Sequence, residues 1–93
     1  MKVFISMPMK GKTEEQVREE MEGWKESFPF DNCEFIDSII PDHDKRTPLE
    51  NLGESIKLMD KADAVFFTKG WEEARGCKIE RAIAEAYDIP IYE

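Results

Sequence analysis

Three groups of side chains in this sequence have residue types and a spacing that could support chemistry. Glu80 lies four residues after Gly76, about one turn into a helix predicted to begin near Arg75, so its carboxyl group would face the edge of a sheet. Cys77 is at the start of the same helix, where a thiol can ionise and act as a nucleophile. The segment Asp42–Asp44, an acid, a histidine and an acid, has three side chains able to bind a metal ion.

Each group also has a simpler interpretation. No histidine lies near Cys77 in sequence, so we interpret this residue as a small packed thiol. Adjacent residues rarely converge on one ion, so Asp42–Asp44 is interpreted as a solvated loop, and we predict neither a metal nor a cofactor. For Glu80 two readings stay open, a site carboxylate or an ordinary exposed helix residue paired with surface charges one turn away.

The elements that must position these side chains alternate regularly. Short apolar runs rich in β-branched and aromatic residues are separated by segments whose apolar residues recur at helical spacing. This order predicts one α/β domain, a Rossmann-like or flavodoxin-like three-layer sandwich. Its four-stranded parallel sheet has the order 2-1-3-4, with helices on both faces. The predicted strands are 2–6, 34–37, 62–68 and 90–92, and the predicted helices are 14–27, capped by Thr13 and Gln16, one from Pro48 and one from about Arg75.

Composition and charge exclude several classes of partner. The chain has 93 residues with 21 acidic and 13 basic side chains, and its net charge of -8 would repel a nucleic-acid polymer. No apolar run approaches the roughly 20 residues of a membrane span, so no membrane partner is expected. Only two cysteines are present, which favours a cytoplasmic location. Because a core of this size is marginal, we expect a homodimer or a higher homo-oligomer.

Two segments of the chain resemble a known family. They are Val3–Gly11, which reads VFISMPMKG, and the run from Ala62 through Gly70 and Trp71 to Glu80. The chain is similar to the nucleoside 2-deoxyribosyltransferase superfamily, and more closely to its short, phage-associated, DUF4406-like branch. The resemblance covers nearly the whole chain and implies a small-molecule nucleoside or nucleotide as the ligand.

The resemblance also implies a role for Glu80. In the family, a glutamate at this position attacks C1′ of a 2′-deoxyribosyl group, releases the base and forms a covalent ester with the sugar. An oxocarbenium-like centre needs a nearby carboxylate, as it does in retaining glycosidases. Glu80 is therefore the predicted nucleophile, and we expect the amide groups of the helix start and Arg75 to favour its ionised form.

Further contacts are expected where two loops leave the carboxyl ends of the strands. In the second loop, Trp71 would form a wall against a base or sugar, Arg75 would meet a phosphate, and Gly76 would let a ligand approach free amide groups. In the first loop the predicted substrate-binding residues are Ser6, Met7, Pro8 and Gly11.

Two departures from the family pattern leave alternatives open. Ser55 stands where active members commonly have an acid, and Ala74 stands where they often have Asp or Ser. The leading hypothesis is a transferase or hydrolase of the N-glycosidic bond in a 2′-deoxynucleoside or its 5′-monophosphate. The alternatives are a catalytically silent module that binds a nucleotide or similar small ligand, and a phage-related interaction protein. Asp63, before the third strand, is interpreted as structural.

Overall fold

Strands and helices alternate along the chain as the sequence pattern predicts. The computed structural model describes residues 1–93, and its longest helix has 14 residues. No helix combines the length and the apolar character needed to cross a membrane. The strands are β1 (Lys2–Ser6), β2 (Glu34–Ile36), β3 (Ala64–Phe67) and β4 (Ile91–Tyr92); the helices are α1 (Glu14–Ser27), α2 (Pro48–Met59) and α3 (Arg75–Ala86); and short 3-10 turns span His43–Lys45 and Trp71–Glu73.

The four strands form one sheet in which all neighbouring pairs are parallel. Their order is β2-β1-β3-β4, which confirms the predicted order 2-1-3-4 and the α/β class. β1 and β3 are the central strands, with Phe4 opposite Val65 and Ser6 opposite Phe67. The carboxyl ends of these two strands therefore meet at one edge of the sheet, and Ser6 is the last residue of β1.

The helices begin in two different ways. Thr13 and Gln16 form the predicted capping box at the start of α1, and Thr47 and Glu50 form a second one at the start of α2. α3 begins after Ala74, whose side chain cannot accept a hydrogen bond. The first amide groups of α3 are thus not capped by a side chain, and this helix start lies beside the carboxyl edge of the sheet.

The two faces of the sheet are covered unequally. Successive side chains of a strand point to opposite faces. Helix α1 packs on one face, here called the α1 face, whereas α2 and α3 share the other, here called the α2–α3 face. The core of the α1 face consists of Val3, Ile5, Met7, Val17, Met21, Phe28, Ile39 and Phe66, and that of the α2–α3 face consists of Phe4, Met59, Val65, Phe67 and Ala84.

A pair of hydrogen bonds joins the central strands at the opposite, amino end of the sheet. The backbone amide of Lys2 donates to Oδ2 of Asp63 over 2.7 Å. The amide of Asp63 donates in return to the carbonyl of Lys2, also over 2.7 Å. Asp63 is therefore structural, as the sequence indicates, and it lies at the end of the sheet away from the candidate site.

Phe28, immediately after α1, is the centre of an aromatic cluster on the α1 face. Its side chain is 6% exposed. Its ring lies 5.2 to 5.8 Å, centroid to centroid, from the rings of Phe30, Phe35, Phe66 and Tyr92. The end of α1 is thus attached to three strands of the sheet through one side chain.

We predict that Phe28→Ala lowers the free energy of unfolding by about 3 to 5 kcal/mol, because it removes a buried ring and leaves a cavity. Phe30→Ala is the matched control, since this ring belongs to the same cluster but is 47% exposed, and it should cost less than half as much. Urea denaturation followed by circular dichroism measures both. Equal losses in the two variants would contradict the central role of Phe28.

Candidate functional site

A buried hydrogen bond connects the first strand to the third helix at the carboxyl edge of the sheet. The hydroxyl of Ser6 donates to Oε1 of Glu80 over 2.6 Å. Ser6 is 1% exposed and Glu80 is 7% exposed, so both side chains lie beneath the surface. The structure therefore excludes the interpretation of Glu80 as an ordinary exposed helix residue. Its carboxyl group lies where ligands bind in sheets of this type.

Burial raises the pKa of Glu80 above its usual value, because loss of hydration disfavours the charged carboxylate. The hydrogen bond from Ser6 opposes this effect, since it favours the ionised form. The expected stabilisation by Arg75 is absent, because Arg75 is exposed and forms no ion pair. Desolvation, which the sequence pattern did not reveal, is thus the dominant influence on this group.

Ser55, on helix α2, lies next to the carboxyl group of Glu80. Its hydroxyl also lowers the pKa of Glu80, as the third influence after burial and Ser6. Ser55, one of the two departures described from the sequence, therefore adjoins Glu80 with a neutral hydroxyl group. Ala74, the other departure, precedes α3 and supplies no polar group.

Cys77 lies beside Ser6 and Glu80 but is not a reactive thiol. It is 4% exposed. Burial raises its pKa to about 11, the hydrogen bond with Ser6 lowers it, and the charge of Glu80 raises it. The thiol is therefore protonated at neutral pH, which agrees with its interpretation as a packed side chain.

We predict that Cys77 resists alkylation in the folded protein. Cys33 is partly exposed, and both cysteines are free thiols. Iodoacetamide at about pH 8 should modify Cys33 first and Cys77 only after addition of denaturant, because the thiolate is the reactive species. Mass spectrometry of the intact chain and its peptides identifies the order. Rapid native modification of Cys77 would show that its surroundings are open.

The residues of the first loop differ in how deeply they are buried. Met7 is 3% exposed and packs in the core of the α1 face, whereas Pro8 is half-buried and Gly11 is exposed. The ammonium group of Lys12 donates to the carbonyl of Pro8 over 3.2 Å and pairs with Glu20 over 2.6 Å. This arrangement attaches the loop to α1 through Lys12.

Trp71 in the second loop is held by an ion pair that sequence reasoning missed. Its Nε1 donates to Oε2 of Glu93 over 3.2 Å, and Nη1 of Arg81 donates to the same oxygen over 3.0 Å. The guanidinium carbon of Arg81 lies 4.6 Å from the centroid of the indole ring. The available signal for these contacts was the position of Arg81, directly after Glu80 on α3. The indole is thereby fixed against the start of α3.

The remaining candidate positions are less closely connected. Gly76 lies exposed in the first turn of α3, next to the exposed Arg75. Asp42–Asp44 is exposed and contributes to a short 3-10 turn. No group of three or more His, Cys, Asp or Glu side chains has an arrangement that could hold a metal ion. The structure therefore brings together Ser6, Ser55, Cys77 and Glu80, with Trp71 on the neighbouring loop.

One surface depression of the molecule is separate from this polar cluster. It is a groove of about 670 Å³ beside the carboxyl ends of β3 and β4. Ser6 and Glu80 are not among its lining residues. We call it the β3–β4 groove; its walls include Trp24, Phe66, Thr68, Trp71 and Tyr92.

The fold and the edge cluster define a small Rossmann-like domain with one buried carboxyl group at the carboxyl edge of its sheet. All of the chain, residues 1–93, matches the family described as "Domain of unknown function (DUF4406)", and the chain belongs to that family. No curated protein and no solved structure matches it. The family description states no activity, so a functional assignment must be argued from the geometry.

We predict that Glu80→Gln stabilises the fold at neutral pH. The raised pKa means that the folded chain binds this proton more tightly than the unfolded chain does, so ionisation of Glu80 opposes folding as pH rises. Below the pKa of the unfolded chain both states are protonated and this cost disappears. In urea denaturation between about pH 4 and pH 8, the free energy of unfolding of Glu80→Gln should exceed that of the parent chain by an amount that grows with pH.

The control is Glu15→Gln, which removes one charge from the exposed side of α1. A Glu80→Gln variant that is less stable than the parent chain at about pH 8 would mean that other contacts outweigh the desolvation of the carboxylate.

Proposed function

We propose that this protein cleaves or transfers the N-glycosidic bond of a 2′-deoxynucleoside or its 5′-monophosphate, with Glu80 as the nucleophile. The observation that carries the proposal is the buried hydrogen bond from Ser6 to Glu80 at the carboxyl edge of the two central strands. The similarity to nucleoside 2-deoxyribosyltransferases in Val3–Gly11 and Ala62–Glu80 supports the substrate class.

The proposed reaction has two steps. A carboxylate oxygen of Glu80 attacks C1′ as the C1′–N bond breaks, and the bonding electron pair leaves with the base, which takes up a proton. Water or a second base then attacks C1′, breaks the sugar–enzyme ester and restores the Glu80 carboxylate. The two displacements together retain the configuration at C1′, and neither step requires a cofactor.

The surroundings of the carboxyl group suit such a nucleophile. A carboxylate with few water contacts interacts more strongly with the positive charge that develops at C1′ than a hydrated one does. The hydrogen bond from Ser6 fixes the orientation of the group and keeps the ionised form accessible. Ser6 would therefore act as a positioning residue for Glu80.

A catalytically silent module that binds a nucleotide or similar small ligand is the second candidate. The separation between Glu80 and the β3–β4 groove favours it, because a groove with the volume of a ligand pocket does not include the carboxyl group. The neutral Ser55 next to Glu80 favours it as well, since active relatives commonly have an acid there.

The proposal includes the setting in which the protein works. We propose a cytoplasmic protein whose partner is a small-molecule nucleoside or nucleotide rather than a nucleic-acid polymer or a membrane. The net charge of -8 supports the exclusion of polymers. A homodimer or higher homo-oligomer would help to exclude water from the ester intermediate.

The test is incubation with a panel of 2′-deoxynucleosides and their 5′-monophosphates, with free base measured by chromatography. Glu80→Gln should lower base release by about 1,000-fold or more, because it removes the nucleophile. Ser6→Ala should lower it by roughly tenfold and move the rise of activity to higher pH, since the Ser6 hydroxyl lowers the pKa of Glu80.

Ser38→Ala is the matched control for Ser6→Ala. Ser38 is 2% exposed and donates to the carbonyl of Ile5, so its loss disturbs an equally buried hydroxyl away from Glu80. This variant should keep the parent pH profile. Base release that is equal in Glu80→Gln and the parent chain would remove Glu80 from the mechanism, and binding without any release would support the silent module.

A further inference from the structure

The β3–β4 groove has the dimensions of a small-molecule site. Its volume of about 670 Å³ falls within the range of ligand pockets in proteins, roughly 300 to 1,000 Å³. Its lining includes Trp24 of helix α1, which packs on the α1 face of the sheet. Trp24 of α1 and Tyr92 of β4 both pack at the margin of the core on this face. The space between them is left open at the carboxyl edge.

Aromatic rings form the walls of the groove. Trp24 meets Phe66 edge to face, with ring centroids 6.2 Å apart. Tyr92 stands on the adjacent strand, and Trp71 lies on the loop that follows β3. Because Trp71 is held by Arg81 and Glu93, its wall is fixed before any ligand arrives. Fixed aromatic walls favour flat molecules and attract cations through their ring faces.

Thr68 supplies an unsatisfied polar group to the lining. Its side chain is 1% exposed, and Oγ1 has no hydrogen-bond partner. The amide of Thr68 donates to the carbonyl of Ser6, which continues the sheet ladder by one residue. Alternation then places its side chain on the same face as Phe66, which also lines the groove. A buried hydroxyl without a partner is rare, and a ligand carrying N–H groups would satisfy it.

Two free carboxylates complete the lining. Glu72 and Glu73 line the groove, and neither forms an ion pair. The third acid, Glu93, is already neutralised by Arg81 at 3.0 Å. Lys69 is the only basic residue of the lining. With the chain carrying a net charge of -8, the local and overall charges both favour a positively charged ligand.

We propose that the β3–β4 groove binds a flat organic cation whose N–H groups reach Thr68 and the carboxylates of Glu72 and Glu73. Neither Glu80 nor Ser6 lines this groove. The inference therefore does not depend on the proposed glycosidic chemistry, and each can fail without the other.

The experiment compares three probes with the same ring and different charges. They are 2-naphthamidine, which is a cation at neutral pH, the neutral 2-naphthamide and the anionic 2-naphthoate. Isothermal titration calorimetry and quenching of tryptophan fluorescence report binding. The amidine should bind about tenfold or more tightly than the amide, and its affinity should fall as salt is added. The carboxylate should not bind.

Substitutions assign the binding to the groove. The double variant Glu72→Gln, Glu73→Gln should lower the affinity for the amidine roughly 3- to 10-fold. The control double variant Glu15→Gln, Glu19→Gln has the same net charge and should keep the parent affinity. Thr68→Val should weaken it roughly 3- to 10-fold without loss of stability, because it removes a hydroxyl that has no partner in the free protein. Glu80→Gln should leave amidine binding unchanged.

The proposal is overturned if the three probes bind equally, if none binds, or if the control pair weakens the amidine as much as the Glu72 and Glu73 pair does. Binding that disappears in Glu80→Gln would also overturn it, because the cation would then occupy the carboxyl cluster. A groove covered by a second copy of the chain would appear as tighter amidine binding at lower protein concentration, and that result too counts against a free small-molecule site.

Discussion

The handedness of the crossovers is the constraint on which the rest of this molecule depends. From β1 the chain moves outward to β2, and it then travels in the opposite direction to β3 and β4. Right-handed connections therefore require α1 on one face and both α2 and α3 on the other. The face covered by two helices buries Glu80 on α3 next to Ser55 of α2, so the position of this carboxyl group follows from the topology of the sheet.

Burial of Glu80 illustrates how a small domain can retain an unfavourable group. The α2–α3 face is otherwise apolar, and its polar contacts with the carboxyl group come from two serine hydroxyls. Such a group costs stability, because a neutral side chain of the same shape would avoid the loss of hydration. Strained or desolvated groups are characteristic of sites that act on ligands.

Local signals predicted the fold well, whereas the site depends on contacts that local signals do not contain. Thr13, Gln16 and Pro48 mark helix starts within a few residues, so the elements and their order could be read directly. Ser6 and Glu80 are separated by 74 residues, and their approach depends on the packing of α3 against β1. The direction of the pKa shift of Glu80 depends on that packing too. The resemblance to a known family pointed to Glu80 but not to its degree of burial.

The pairing of β1 with β3 has a consequence for synthesis of the chain. Lys2 and Asp63 are joined by backbone and side-chain hydrogen bonds although they are 61 residues apart. At about 5 to 20 residues per second, the apolar first strand waits several seconds on the ribosome before its central neighbour emerges. The acidic helix α1 follows β1 at once and can shield Val3 and Ile5 during that interval. An amino-terminal half of this protein therefore lacks the partner that its first strand needs, and folding must wait for the carboxyl-terminal half.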